Sequence, residues 1–177
     1  MEWYKNQNSY TKCILFSGIC QVIEKGKVLR TYENWGKYFS IQFDIVVKKL
    51  PKSTWLNVFH FTAGGNFEKL GDRIPGLWIN KKGRFYFCTS LNNNKDLWKL
   101  IDFKLGQTYH VTITQSNISN KFWYEIKIDN ETKLKIENSN PQSWSKVYLY
   151  TSNPWVDAFT SEFGSICNLK ISYKGKS

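Results

Sequence analysis

Alanine is almost missing from this chain, which carries only Ala63 and Ala158, and its leucines and glutamates do not recur at helical spacing. The best helix former is therefore absent. No stretch of a dozen residues shows a 3.6-residue apolar period, so a helical fold is excluded. Long apolar runs are lacking too, and nothing approaches the span of about 18 residues that a membrane helix needs. Histidine occurs only at His60 and His110, and no CxxC pair exists among Cys13, Cys20, Cys88 and Cys167, which removes the common zinc and dithiol motifs. A nucleophile-elbow sequence beside a histidine is missing as well.

Paired carboxylates at catalytic spacing are also wanting. Glycanases of the jelly-roll type set two carboxylates about 5 to 9.5 Å apart. Residues two apart on a strand stand about 6.5 to 7 Å apart on one face, so a Glu-x-Asp-x-x-Glu pattern would be the mark. The nearest approach is Glu125 and Asp129, four apart with Lys127 between them, which reads as a solvated strand face. The chain is therefore expected not to be an enzyme.

What is abundant is aromatic and basic. Aromatics make up 17% of the chain, with 8 Trp, 10 Tyr and 12 Phe, a payload that disordered chains lack and strands favour. The formal net charge of +11 draws polyanions, among them nucleic acid, sulfated glycans and acidic surfaces. The densest basic cluster, Lys81-Lys82-Gly83-Arg84, sits in a turn and reads as a solvated loop.

The dominant pattern has period two. Phe122, Tyr124, Ile126 and Ile128 alternate with polar neighbours, as do Tyr109, Val111 and Ile113, Leu134 and Ile136, Phe85 and Phe87, and Cys167 through Tyr173. Continuous apolar runs at Phe43 to Val47, Val58 to Phe61, Leu77 to Ile79 and Val147 to Tyr150 read as strands buried on both faces or nearly so. Turn signals separate them, including Ala63-Gly64-Gly65-Asn66, Lys81-Lys82-Gly83, Asp129-Asn130 and Asn140-Pro141. Many short strands at this spacing predict an all-β fold, a two-sheet antiparallel jelly-roll sandwich. Residues 1–18 are expected to form an N-terminal extension or first strand, and residues 19–174 a single sandwich domain.

Two long loops, Gly64 to Pro75 and Thr151 to Gly164, exceed hairpin length, and long ordered loops on β scaffolds carry function. Asp72 and Arg73 in the first, with Asn153, Trp155 and Asp157 in the second, are the candidate ligand contacts. Asp72 and Asp157 are the candidate metal oxygens, and Glu162 offers another. The plainer reading of Asp72 is a cap on its own loop's amides, with Arg73 paired locally. Trp155, between Pro154 and Val156, could stack on the apolar face of a sugar, while Trp98 and Trp144 are less distinctive. His60 lies inside an apolar run and reads as a satisfied core histidine, whereas His110 points outward.

The four cysteines allow two disulfides in three arrangements. Asn117-Ile118-Ser119 and Asn130-Glu131-Thr132 are N-glycosylation sequons. Together these predict a secreted or cell-surface protein. The apolar run from Cys13 to Cys20 has no cleavage-like tail, so no signal peptide is expected within this chain.

The residues also resemble a known family. Glu33-Asn34-Trp35-Gly36, Trp55-Leu56-Asn57-Val58-Phe59-His60-Phe61-Thr62, Gly71-Asp72-Arg73-Ile74-Pro75-Gly76-Leu77-Trp78 and Ser152-Asn153-Pro154-Trp155 are similar to stretches of laminin-G-like, concanavalin A-like jelly-roll domains of extracellular invertebrate proteins. The resemblance runs over about residues 20 to 173. It implies that the first and last strands are neighbours, which would let Cys20 reach Cys167. Relatives carry Ser-Asp-Pro-Trp where this chain has Asn153, and an amide carbonyl brings less charge to Ca²⁺ than a carboxylate. The expected function is recognition of a glycan, sulfated ones included, or of an extracellular protein through edge loops. A structural or adhesive domain without a small ligand is the second reading. A polyanion or nucleic-acid binder rests on charge alone, with no RNA-binding motif to support it.

Overall fold

The computed structural model describes residues 10–14, 18, 20–21, 23–52 and 54–175, and they form no helix. In chain order the strands are β1 (Tyr10–Ile14), β2 (Cys20–Gln21), β3 (Val28–Val47), β4 (Trp55–Thr62), β5 (Gly76–Asn80), β6 (Arg84–Leu91), β7 (Asn94–Asp102), β8 (Thr108–Ile118), β9 (Lys121–Ile128), β10 (Glu131–Glu137), β11 (Trp144–Tyr150), β12 (Asp157–Ala158) and β13 (Gly164–Gly175). All pairings are antiparallel except that of β12 with β4. Among the described residues no helix is long and apolar enough to cross a membrane.

The long strand β3 belongs to two sheets. Its first part, Val28 to Trp35, pairs with β11, which leads on through β4, β5 and β6 to β7. Its second part, Phe39 to Val46, pairs with β8 and, on the other edge, with β13; β9 and β10 follow β8, while β1 and β2 follow β13. The crossing falls at Asn34, with φ of 56°, and at Gly36. A Cβ on Gly36 would stand 2.1 Å from the carbonyl oxygen of Lys174, so only glycine lets β13 pass this close.

Between the sheets the aromatics interlock. Trp35 is fully buried and stacks on Tyr173 at 4.9 Å, with Tyr32, Phe39 and Phe61 within 5.5 Å of its ring centre. Phe43, Ile45, Val111, Ile113, Tyr124 and Ile126 extend this core beneath the sheet of β8, β9, β10 and β13, the first sheet, and Phe61, Leu77, Phe85 and Phe87 beneath that of β11 and β4 to β7, the second. Three hairpins turn on residue pairs with both φ values positive: Asn92-Asn93, Ser119-Asn120 and Asp129-Asn130. This is the turn whose twist matches that of the strands, and asparagine and aspartate tolerate it best.

Cys20 is bonded to Cys167, tying β2 to β13, and Cys88 is free and buried. The strands predicted by alternation all form. Of the apolar runs, Phe43 to Val47 is corrected, since Asp44 and Val46 alternate outward and one face stays open to solvent. Val147 to Tyr150 likewise alternates between buried and half-buried. Val58 to Phe61 and Leu77 to Ile79 are buried on both faces.

Candidate functional site

The two long loops fold back over the outer face of the second sheet, which is why β4 and β5 are covered twice. One side chain joins them. His60 on β4 donates from Nε2 to the carbonyl oxygen of Asp72 in the first loop. Its Nδ1 accepts from Asn153 Nδ2 in the second loop at 2.9 Å. A carbonyl cannot donate, so the contact with Asp72 fixes the neutral ring with its proton on Nε2. Burial, the main cause, pulls the His60 pKa down to about 4, and the nearby Arg73 charge adds to it. The histidine is neutral and internal, as the sequence suggested.

Around this hub the remaining polar groups brace the loops. Asn153 has no exposed surface; its Oδ1 accepts from the amides of Trp155 and Val156 at 3.1 Å each. Its own amide donates to Asn57 Oδ1 at 2.7 Å, while Asn57 Nδ2 donates to the carbonyls of Phe59 and Leu77 at 3.1 Å each. Asn57 thus repairs the ladder where β4 bulges against β5. Replacing Asn57 by alanine orphans two carbonyls and an amide, and is expected to cost about 2 to 3 kcal/mol, read as a lowered urea midpoint.

Of the proposed contacts, Asp72, Arg73 and Asn153 are held within the loops, and Asp157 opens β12. Asp72 is 1% exposed, and its Oδ2 accepts from the amides of Glu68 and Lys69 at 2.7 and 3.0 Å. It caps its own loop through Oδ2, and its Oδ1 is buried without a hydrogen-bond partner. Asn153 is buried too. Arg73 is largely consumed: its Nε donates to the carbonyl of Asn66 at 2.9 Å, and its guanidinium pairs with Asp96 at 2.6 Å. Asp157 is exposed but lies opposite Leu56, four residues along β4 from the His60–Asp72 contact. At about 3.3 Å per residue, less the bulge, that is roughly 10 Å, so Asp72 and Asp157 do not share a cation. Asp157 instead lines a pocket with Lys49, Lys52 and Glu162. Among the described residues no cluster of three His, Cys, Asp or Glu side chains fit for a metal is found.

Trp155 is 43% exposed, with its ring 5.7 Å from His60 and 5.9 Å from Tyr150. From His60 the ring contacts continue to Trp78 at 5.2 Å, Tyr86 at 6.2 Å, and then to Trp98 and Trp55. The Arg73 guanidinium lies 4.7 Å over Trp78 and 5.6 Å from Phe67. Phe67 and Trp98 are 51% and 56% exposed. The result is a chain of ring contacts that runs through the buried His60 and Trp78 and whose open members are Trp155, Phe67 and Trp98. Phe67 and Trp78 were not singled out from sequence. The one available clue was Gly76: a Cβ there would strike the Trp78 ring at 2.4 Å, so the indole lies flat along the sheet. Cys88, opposite Gly76 on the neighbouring strand, is a buried thiol with its pKa pushed up by that burial, and it offers no nucleophile.

No protein-family model matches the sequence, and no curated protein matches it. Solved structures do. The receptor binding domain of botulinum neurotoxin D superposes with a TM-score of 0.58 at 15% identity, over 95% of this chain and 45% of that one. The serotype D ligand binding domain in complex with N-acetylneuraminic acid gives 0.57 at 14% identity, over 94% and 43%. A family 7 alginate lyase in complex with substrate gives 0.52 at 15% identity, over 80% and 64%. At such identity the likeness is one of fold: these are all-β sandwich domains of jelly-roll type. The chain spans less than half the length of the toxin domains it matches.

Proposed function

We infer that the chain is a non-catalytic glycan-recognition module acting outside the cell, and that it binds through the loop-built aromatic surface. The carrying observation is the exposure of Trp155, Phe67 and Trp98 on a surface fixed from beneath by His60, Trp78 and Arg73. Large exposed apolar groups on a rigid base mark interaction sites. A pyranose presents an apolar face to a ring and hydroxyls to the polar groups around it. The fold is shared with a domain crystallised with N-acetylneuraminic acid, which is consistent with a sugar ligand. The disulfide between Cys20 and Cys167 supports an oxidising compartment. Of the two sequons, Asn130 stands exposed on a hairpin turn and Asn117 is half-buried on β8, so Asn130 is the better acceptor.

A glycan array run at two salt concentrations tests the reading. Sugar-specific binding that tolerates salt is expected, with Trp155→Ala and Phe67→Ala each weakening it about tenfold or more. A chelator is expected to leave it unchanged. Equal, salt-sensitive binding to every polyanion would indicate charge alone, and no binding would favour a structural or adhesive domain.

A further inference from the structure

A groove lies on the opposite face of the sandwich. The outer face of the first sheet holds this groove, of about 390 Å³. Its floor follows from strand register. Ser172 on β13 lies opposite Ser40 on β3, Ser40 opposite Thr114 on β8, Thr114 opposite Glu125 on β9, and Glu125 opposite Lys135 on β10. Directly opposed residues share a face, so these five side chains form one row across the sheet. With strands about 4.8 Å apart, the row is about 19 Å long, the reach of a short extended chain.

The row is polar throughout, and Trp123, two residues from Glu125 on β9, flanks it with the Lys135 ammonium 5.3 Å from its ring centre. Glu125 is already occupied: its Oε1 accepts from Thr132 at 2.8 Å, and its Oε2 lies 3.5 Å from Lys127. Glu125 is also the only carboxylate among the described residues lining the groove. Lys135 has no carboxylate partner among the described residues, so it is the cation left over. Hydroxyls along the floor, an aromatic wall and one surplus cation together describe a receptor for a hydroxyl-rich chain bearing a negative charge. A lone carboxylate already paired with a lysine is not the pair that glycoside hydrolysis uses.

The geometry points to this groove as a binding site for an acidic oligosaccharide, its anionic group held by Lys135 and a sugar ring set against Trp123. The site is separate from the loop surface and does not depend on it.

Calorimetric titration of the whole chain with a galacturonate hexamer and with a heparin-derived hexasaccharide tests the assignment and identifies the anion as carboxylate or sulfate. The hexamer's neutral methyl ester and a single-stranded DNA oligomer serve as controls. One of the two acids is expected to bind, with Lys135→Gln and Trp123→Ala each weakening it about tenfold. Trp155→Ala is expected to leave this binding unchanged, which keeps its outcome apart from that of the loop surface. Lys135 is exposed, so Lys135→Gln reports binding even if Trp123→Ala impairs folding. Binding of neither acid overturns the assignment. So does equal binding by ester or DNA, or an unaltered affinity in Lys135→Gln.

Discussion

Removing the disulfide by replacing Cys20 and Cys167 together with serine is expected to lower stability by up to about 5 kcal/mol. The bond closes a loop with a sequence separation of 147, and the entropy lost by the unfolded chain grows with the logarithm of that length. In a chain of this size the loss corresponds to a fall of about 10 to 20 °C in Tm. The effect acts through the unfolded state, because Cys20 itself is exposed and buries little. It is an upper figure, since a denatured chain retains some compactness. Urea unfolding of the double variant against the parent, without reductant, measures it. Thiol titration of the unfolded, unreduced chain is expected to find no more than two free thiols; a count of four would refute the bond.

Acidification is expected to unfasten the loop surface before it reaches the rest of the sandwich. His60 titrates near 6.5 when unfolded and at about 4 when folded. Above pH 6.5 both states hold a neutral ring and the histidine contributes no pH dependence. Between pH 6.5 and 4 the unfolded chain takes up a proton that the folded chain refuses, so stability falls with falling pH. The slope is about 1.4 kcal/mol per pH unit, and the total is about 3 kcal/mol. Asp44 contributes lower down: burial alone would raise its pKa, but hydrogen bonds from Asn168 and His110 hold it below 3.8.

Both loops hang on the His60 ring, so their order should go with its protonation. Urea midpoints from pH 7 to pH 4, with the His60 ring signals followed by NMR, test this. A flat profile above pH 4.5 would show that the ring protonates freely in the folded state. Asn153→Asp replaces the amide that donates to Nδ1 with an acceptor, and is expected to raise the His60 pKa and so shrink the loss of stability between pH 6.5 and 4.

The strands, their alternation and the class of fold were legible in the sequence because a period of two depends on nearest neighbours. Phe122 to Ile128 reads as a half-buried strand wherever the chain places it. The plainer reading of Asp72 and Arg73 was legible too, since a carboxylate three residues beyond a loop amide finds it locally. What the sequence could not decide was which strands carry a third layer. Val58 to Phe61 and Phe43 to Val47 look alike as apolar runs, yet only the former lies under the loops.

Register alone brings Lys135, Glu125, Thr114, Ser40 and Ser172 into one row, from strands as much as 132 positions apart in the chain, from Ser40 to Ser172. The same holds for Asn153, 93 positions from His60, which alternation marked only as a loop residue beside an aromatic. Local periodicity fixes the face on which a side chain stands. Its neighbour across the sheet, and the loop that covers it, are set by pairings between distant segments, and those exist only once the chain has folded.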